Sequence, residues 1–197
     1  MCIRDRINID IQLDAQLLEQ AGVEVAFVGP DNFAAAYEVG KLLGKKLRNE
    51  DKVAIIEGLA AADNARQRKR GFIKAIEEKG LRLVASEPAD WETEKAAEVF
   101  QAMWMRYPDL KAVYCSNDAM ALGVLQQMQE KKCYLPVVGF DNDAVMKEFL
   151  STGKLVATAD IFSSQMAVRG IEFALDVLEG RIENRGVHST AYEIIKQ

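Results

Sequence analysis

The sequence has little of what hydrolytic enzymes and metal sites require. It contains one histidine and three cysteines among 197 residues. His188 has no serine or cysteine at a recognisable spacing, so a nucleophile–base pair lacks support. Cys2, Cys115 and Cys133 form no CxxC or Cys/His pattern, which argues against a zinc site or a disulfide framework. Glycine-rich phosphate-binding motifs and GxSxG are also missing. We therefore predict no enzyme activity and no cofactor.

Long apolar runs and an excess of positive charge are missing as well. No segment is apolar enough to span a bilayer, and the first 14 residues lack the apolar centre of a signal peptide. Lys and Arg number 25 against 30 Asp and Glu, a net charge of −5. Nucleic-acid surfaces need clustered Lys and Arg, and the densest run, Arg66–Arg70, fits a helix face better. We expect no nucleic-acid partner.

What the chain does contain is a regular alternation of short β-branched runs with longer segments of helical periodicity. Strands such as VAIIE and AVYC are nearly continuous in apolar residues, as in sheets covered by helices on both faces. The pattern predicts an α/β fold with a doubly wound parallel sheet. The predicted strands are Val23–Val28, Val53–Glu57, Arg82–Ser86, Ala112–Cys115, Val137–Phe140, Val156–Asp160 and Tyr192–Ile195. The predicted helices are Asn32–Arg48, Ala65–Lys79, Glu92–Tyr107, Ala119–Glu130, Asp143–Ser151 and Ser163–Glu179.

Polar and aromatic side chains collect where the predicted strands end. In open α/β sheets, ligands bind outside the carboxyl ends of the strands. Arg66, Trp91, Asn117 and Asp141 follow four different strands, so we expect them at one edge of one sheet. Arg, Asn and Asp can make paired hydrogen bonds to adjacent hydroxyls, and Trp offers a flat apolar face to a sugar ring. The set predicts a neutral polyol as the ligand.

Taken singly, each of these residues has a simpler structural interpretation. Arg66 alone fits a solvated helix position, and Trp91 alone fits a surface or satellite-core aromatic. Asn117 and Asp141 are less easily interpreted as helix caps, because their neighbours are better placed. The predicted N-caps are Asn32, Asp118 and Asp143. The range Asp141–Asp143 matches a DxD metal pattern, but no third hard ligand is spaced nearby, so we expect no metal.

The order and spacing of seven segments resemble the type I periplasmic binding proteins of ribose-type ABC sugar importers. The resemblance extends from about Ile9 to the end of the chain. Its SEPADW and VYCSNDAMALG strings look most like the D-allose-binding branch, with ribose binders close behind. The segments are FVGPDN at Phe27–Asn32, VAIIEG at Val53–Gly58, NARQRKRGF at Asn64–Phe72, LVASEPADW at Leu83–Trp91, AVYCSNDAMALG at Ala112–Gly123, VVGFD at Val137–Asp141 and GKLVATAD at Gly153–Asp160.

The resemblance implies a role for each candidate residue. In this family two α/β lobes close on a monosaccharide. Arg66, Asn117 and Asp141 would hydrogen-bond the ring hydroxyls from the second lobe, and Trp91 would stack on the ring.

The resemblance also implies a hinge region and a departure from the family pattern. Asp31–Asn32 and Asp160–Ile161 would lie near the hinge crossings. Ile161 stands where many relatives have a sugar-binding glutamine. Asp160 and Gln165 are therefore further candidates for ligand contacts, and the identity of the sugar stays open.

The resemblance implies an incomplete first lobe. Residues 1–31 and 162–190 would be a remnant of that lobe, and residues 32–161 and 191–197 would form a complete second lobe. We expect an N-terminally truncated chain that has lost its signal peptide, with MCIRDR (residues 1–6) foreign to the fold or a start fixed by truncation. Such a chain would have weak sugar affinity or none.

Two functional interpretations follow from the resemblance. The first is the substrate-binding component of an importer, which delivers a monosaccharide to an ABC permease and possesses, in some relatives, a chemoreceptor partner. It would be periplasmic, or an extracellular membrane-anchored lipoprotein in a Gram-positive host. The alternative is the effector domain of a LacI-type transcription regulator, which shares this fold and strings such as NDAMALG and GFD. We favour the importer because of ADW and the allose-like run.

Overall fold

The computed structural model describes residues 6–196, which form two compact units. The described parts of Met1–Asp31 and Ile161–Tyr192 form unit 1, and those of Asn32–Asp160 and Glu193–Gln197 form unit 2. Residues 1–5 of the MCIRDR segment, including Cys2, lie outside the described residues, so the prediction for that segment stays a prediction.

Nine strands and seven α-helices alternate along residues 6–196. Strands β1 to β9 span, in order, Ile7–Ile9, Ala26–Pro30, Lys52–Glu57, Arg82–Pro88, Ala112–Cys115, Val137–Val138, Leu155–Asp160, Val187–Thr190 and Glu193–Lys196. Helices α1 to α7 span Ala15–Gln20, Asn32–Gly44, Asp63–Lys79, Thr93–Arg106, Asp118–Glu130, Lys147–Ser151 and Ser163–Leu178. A 3-10 turn, Ala144–Met146, precedes α6.

Unit 2 is built on a six-stranded sheet in the order β4-β3-β5-β6-β7-β9. Neighbouring strands are parallel except for β9, which runs antiparallel to β7. Side chains alternate across the sheet: Ile56 and Cys115 join the core formed with α4 and α5, whereas Tyr114 contacts Phe72 of α3 on the opposite face. Helices therefore cover both faces of this sheet, and the doubly wound parallel fold is confirmed.

Unit 1 contains a three-stranded parallel sheet in the order β1-β2-β8. Helix α7 packs against β1 and β2, and Ala26, Val28 and Phe173 form the buried centre. An added Cβ at Gly170 would lie 2.2 Å from the Cδ1 atom of Ile9, so the Ile9 side chain packs directly on the helix at this glycine. The sequence pattern did not predict β1, α1 or β8, because none is longer than six residues or strongly amphipathic.

Several helices and strands begin or end at residues other than the predicted ones. Helix α3 begins at Asp63, two residues before the predicted start, and ends as predicted before Gly80, which is left-handed with φ 71°. Strand β6 stops at Val138 rather than Phe140, and Gly139, which follows it, lies directly against the buried Asp118 carboxylate. The predicted helix Asp143–Ser151 is a 3-10 turn followed by the short helix α6.

Candidate functional site

An arginine that the sequence analysis did not select organises the carboxyl edge of the unit 2 sheet. Arg68 of α3 is only 3% exposed. Its Nε donates to Asn32 Oδ1 at 2.9 Å, and its Nη1 donates to the carbonyl oxygen of Ser116 at 2.8 Å. Nη1 also lies 3.4 Å from Asp141 Oδ1. A buried guanidinium needs such partners because its charge is costly to desolvate. Arg68 thereby connects α2, α3 and the end of β5 with Asp141.

Two aromatic rings enclose the Arg68 guanidinium. Its Cζ lies 3.7 Å from the ring centroid of Phe140 and 5.5 Å from that of Trp91. Trp91 is partly exposed and has a left-handed backbone, with φ 71°. An added Cβ at Gly58 would lie 2.1 Å from Trp91 Cη2, so the indole rests directly on the glycine backbone. The ring therefore rests against the residue that follows β3, and Trp91 as a whole stays partly exposed.

Asp141 lies in a tight bend after β6. Its φ is 110° and that of Asn142 is 60°, both unusual for residues other than glycine. The Asp141 N–H donates to Ala159 O at 2.7 Å, and the Asn142 side-chain Nδ2 donates to Asp160 Oδ2 at 2.9 Å. The Asp141 side chain is 31% exposed, so its carboxylate can meet both Arg68 and a ligand.

Asn117, not Asp118, caps helix α5, which corrects the sequence-based assignment. Asn117 Oδ1 accepts a hydrogen bond from Met120 N at 2.9 Å, the usual geometry of an N-cap. Its Nδ2 group is left to donate to a ligand. Asp118 is the first helical residue and is fully buried. The Asp118 side chain accepts from Thr158 Oγ1 and from Asp143 N, at 2.9 Å each.

Of the other two predicted N-caps, Asn32 is not at the predicted position and Asp143 is. Asn32 is the first residue of α2, is 2% exposed and binds Arg68 through its side chain. Asp143 occupies the N-cap position of the 3-10 turn, but its side chain makes no capping hydrogen bond. For Asn32, a tertiary partner, Arg68, replaces the helix N–H groups, whereas Asp143 is bonded through its backbone N–H to Asp118.

Arg66 is placed away from this cluster. Its guanidinium donates to Ala61 O at 2.9 Å and to Asp63 Oδ1 at 3.1 Å, and its side chain is 46% exposed. These contacts and this exposure agree with the simpler interpretation of Arg66 as a solvated helix residue. The helical periodicity of α3 could have identified Arg68. This residue shares the buried face of the helix with Ala65 and Phe72, where a charged residue is unexpected.

The remaining candidates are divided between the units. Asp160 of unit 2 accepts from Asn142, which places it beside the Asp141 bend. Asp31, Ile161 and Gln165 belong to unit 1. Ile161 and Gln165 line a cavity of about 460 Å³ alongside helix α7 and the end of β8. Asp31 is exposed.

Within residues 6–196, no three or more His, Cys, Asp or Glu side chains are grouped so that they could hold a metal ion. In the same range, no helix combines the length and apolar character needed to cross a membrane.

The chain belongs to the periplasmic binding protein domain family, whose sequence pattern matches residues 11–182. It is 40% identical over 194 residues to the D-ribose/D-allose-binding protein of Pseudomonas aeruginosa, covering 96% of this chain and 61% of that protein. It is 34% identical over 171 residues to the ribose import binding protein of Escherichia coli, covering 86% of this chain and 57% of that protein. The chain therefore spans only about three fifths of these relatives.

Solved structures give the same assignment. An ABC transporter periplasmic solute-binding protein of Actinobacillus succinogenes with bound D-allose superimposes with a TM-score of 0.90 at 31% identity, covering 96% of this chain and 68% of that one. A solute-binding protein of Burkholderia multivorans superimposes with a TM-score of 0.91 at 38% identity, with the same coverage. The predicted resemblance to ribose- and D-allose-type binding proteins is confirmed.

Proposed function

We propose that this chain acts in the substrate-binding component of an ABC importer for a ribose- or D-allose-like monosaccharide. The observation that carries the proposal is the cluster at the edge of unit 2, where Arg68 contacts Asp141, Trp91 and the carbonyl oxygen of Ser116, the residue before Asn117. Two relatives named for ribose or D-allose binding supply the ligand class.

Each side chain offers a distinct contact to a sugar. The Asp141 carboxylate accepts from hydroxyls, while Arg68 and the Asn117 Nδ2 group donate to them. Arg68 Nη1 lies 3.4 Å from Asp141 Oδ1, and the Asp141 side chain is 31% exposed, so a ligand at this edge can reach the pair. The indole of Trp91 covers the apolar face of the ring. In this proposal Arg68 takes the role that the sequence analysis gave to Arg66.

The proposed activity is binding and delivery without chemical conversion. Sugar would favour one conformation of the protein, and an ABC permease would recognise that conformation, a ligand-driven shift of populations. We assign the two units to the two lobes of the family, with Asn32–Asp160 in the second. The periplasm is the proposed location, and a chemoreceptor is a further candidate partner. The names of the relatives favour this importer role over the LacI-type regulator.

Titration of the ¹⁵N-labelled chain with D-allose and D-ribose tests the proposal. We expect weak, saturable shifts at the Trp91 indole N–H, the Asn117 side-chain amide and the backbone amides of Asp141 and Asn142. The proposal requires the weak affinity and not its absence, so shifts at these positions that are absent or do not saturate at high sugar concentration would overturn the assignment.

Two arginine variants provide the matched comparison. Arg68→Gln should abolish the sugar-dependent shifts, because it removes the buried donor, whereas Arg66→Gln should leave them unchanged. If Arg68→Gln does not give a folded spectrum, Asp141→Asn replaces it, since it keeps the size of the side chain and removes the charge. Equal loss in Arg66→Gln and Arg68→Gln would contradict the choice of arginine.

A further inference from the structure

We infer that Asp118 is a positioning residue that holds the Asp141 loop, residues 139–143, in the shape required for ligand contact. The inference rests on the proposed function, because it assigns a role to a buried side chain beneath the same site. Asp118 does not reach the exposed edge, as it is 0% exposed. Its effect on a ligand would therefore pass through Asp141 and Asn117.

Asp118 is attached to two points of the Asp141 loop. Its N–H donates to Phe140 O at 2.7 Å, and its Oδ2 accepts from Asp143 N at 2.9 Å. The two attached residues flank the bend that contains Asp141. Asp118 directly follows Asn117, the N-cap of α5. It therefore also links the start of α5 to this loop.

Thr158 of β7 extends the same attachment to a third loop residue. Its Oγ1 lies 2.9 Å from Asp118 Oδ1 and 3.1 Å from Oδ2, and it donates its only proton to this carboxylate. The same oxygen accepts from Asn142 N at 3.2 Å. Thr158 is fully buried, so water does not compete for these bonds.

The backbone around the carboxylate leaves no space for another arrangement. An added Cβ at Gly139 would lie 1.9 Å from Asp118 Oδ1, so the chain passes directly against the carboxylate. Asp141 and Asn142 have φ values of 110° and 60°, conformations that persist only where the surroundings hold them. The three bonds to Asp118 and Thr158 supply that restraint.

The charge state of Asp118 makes this restraint sensitive to pH. Burial raises the pKa of Asp118 to about 7, although the hydrogen bonds from Asp143 N and Thr158 act in the opposite direction. The charged loop side chains Asp141 and Asp143 also raise it. Around the loop, Arg68 pairs with Asp141, and Asp160 at the end of β7 binds Asn142.

On the β5 side of Asp118, the neighbouring titratable group is Cys115. Its pKa is itself raised well above the ordinary value, first by burial and then by Asp118, so this thiol stays neutral. When Asp118 takes up a proton, its oxygens become weaker acceptors for Asp143 N–H, and the loop loses part of its restraint.

The test follows the loop amides and sugar affinity with pH in the 197-residue chain. Amide shifts of Asn142 and Asp143 should titrate with a midpoint near the pKa of Asp118. D-allose affinity should fall from about pH 8 to about pH 6 by up to about tenfold, because only about a tenth of a group with pKa 7 is ionised one unit below it. Asp118→Asn should remove both dependences. Asp109→Asn, at an exposed aspartate paired with Lys52, should leave both unchanged.

Each outcome separates the inference from the proposed function. Loop amides that do not titrate, or that titrate equally in Asp118→Asn, would overturn the positioning role. Loop amides that titrate while no sugar binds at any pH would overturn the proposed function and the ligand role of the loop together. If Asp118→Asn fails to fold, Thr158→Val is used instead. Thr158→Val should weaken the hydrogen bonding of the Asn142 amide. It should also raise the pH midpoint of the loop titration, because the hydroxyl no longer donates to the Asp118 carboxylate. An unchanged midpoint would contradict the inference.

Discussion

Unit 1 and unit 2 use the same kinds of element but bury their apolar side chains to very different extents. Unit 2 has helices on both faces of its six-stranded sheet. In unit 1, helix α1 has no buried residue, and α7 exposes one apolar stripe while it packs with the other. The exposed large apolar side chains of α7 are Val168, Ile171, Leu175 and Leu178. Since apolar burial drives folding, unit 2 should carry most of the stability of the chain.

The largest expected effect comes from truncating a core side chain in each unit. Phe72 of unit 2 is fully buried against Tyr114, so Phe72→Ala should lower the free energy of unfolding of unit 2 by about 3–5 kcal/mol. Phe173→Ala in unit 1 should change that transition far less. Both tryptophans, Trp91 and Trp104, belong to unit 2, so urea unfolding followed by tryptophan fluorescence reports on unit 2 alone. Equal effects of the two substitutions would show that the units unfold as one.

The next effect is a pH dependence that belongs to unit 2. The pKa of Asp118 is raised from 3.8 to about 7 by burial. Between these values the folded state holds a proton that the unfolded state has released. The free energy of unfolding should therefore fall as pH rises from about 4 to about 7, by up to about 4 kcal/mol. Urea unfolding at several pH values measures this slope.

Two variants assign the slope to its residue. Asp118→Asn should abolish the slope and Asp109→Asn should retain it. Retention of the full slope in Asp118→Asn would mean that another group titrates. Amide exchange in unit 1 should not follow the titration of Asp118, and this would distinguish unit 1 from unit 2.

The smallest effect on stability, and the most specific one for the site, comes from Asn117→Asp. Aspartate keeps the oxygen that caps α5, loses the Nδ2 donor and adds a negative charge that a helix N-terminus tolerates, so the free energy of unfolding should change by less than about 0.5 kcal/mol. Sugar affinity should fall about tenfold, the cost of about one hydrogen bond. Parallel urea unfolding and D-allose titration separate the two quantities. A loss of stability without a change in affinity would assign Asn117 to capping alone.

Much of unit 2 could be predicted from local pattern. The apolar runs of β3 and β5 and the period of α3, with Gly80 after it, predict elements that the structure contains. Position after a strand also predicted Trp91, Asn117 and Asp141 at the sheet edge, because parallel strands end on the same side. Unit 1 was less predictable, since its short strand β1 and the exposed strand β8 bear weak patterns.

The choice between Arg66 and Arg68 could not be made from spacing after a strand. Side chains two positions apart on a helix, such as those of Arg66 and Arg68, point in nearly opposite directions. Which of the two faces the protein interior therefore depends on where α3 begins and how it packs. The structure begins α3 at Asp63 and turns Arg68 inward. The choice of Asn117 over Asp118 as the cap was decided in the same way, because Thr158 and the Asp143 N–H, distant in sequence, occupy Asp118.

The sequence by itself determined the fold class, the family and the kinds of side chain present at the sheet edge. These follow from periodicities and motifs within short segments of chain. Only the tertiary structure decided which arginine is buried, which residue caps α5 and how the Asp141 loop is held. Those outcomes depend on hydrogen bonds between segments far apart in sequence, such as Arg68 with Asp141 and Asp118 with Thr158. Burial makes such partners necessary, because a polar group removed from water must find another partner within the protein.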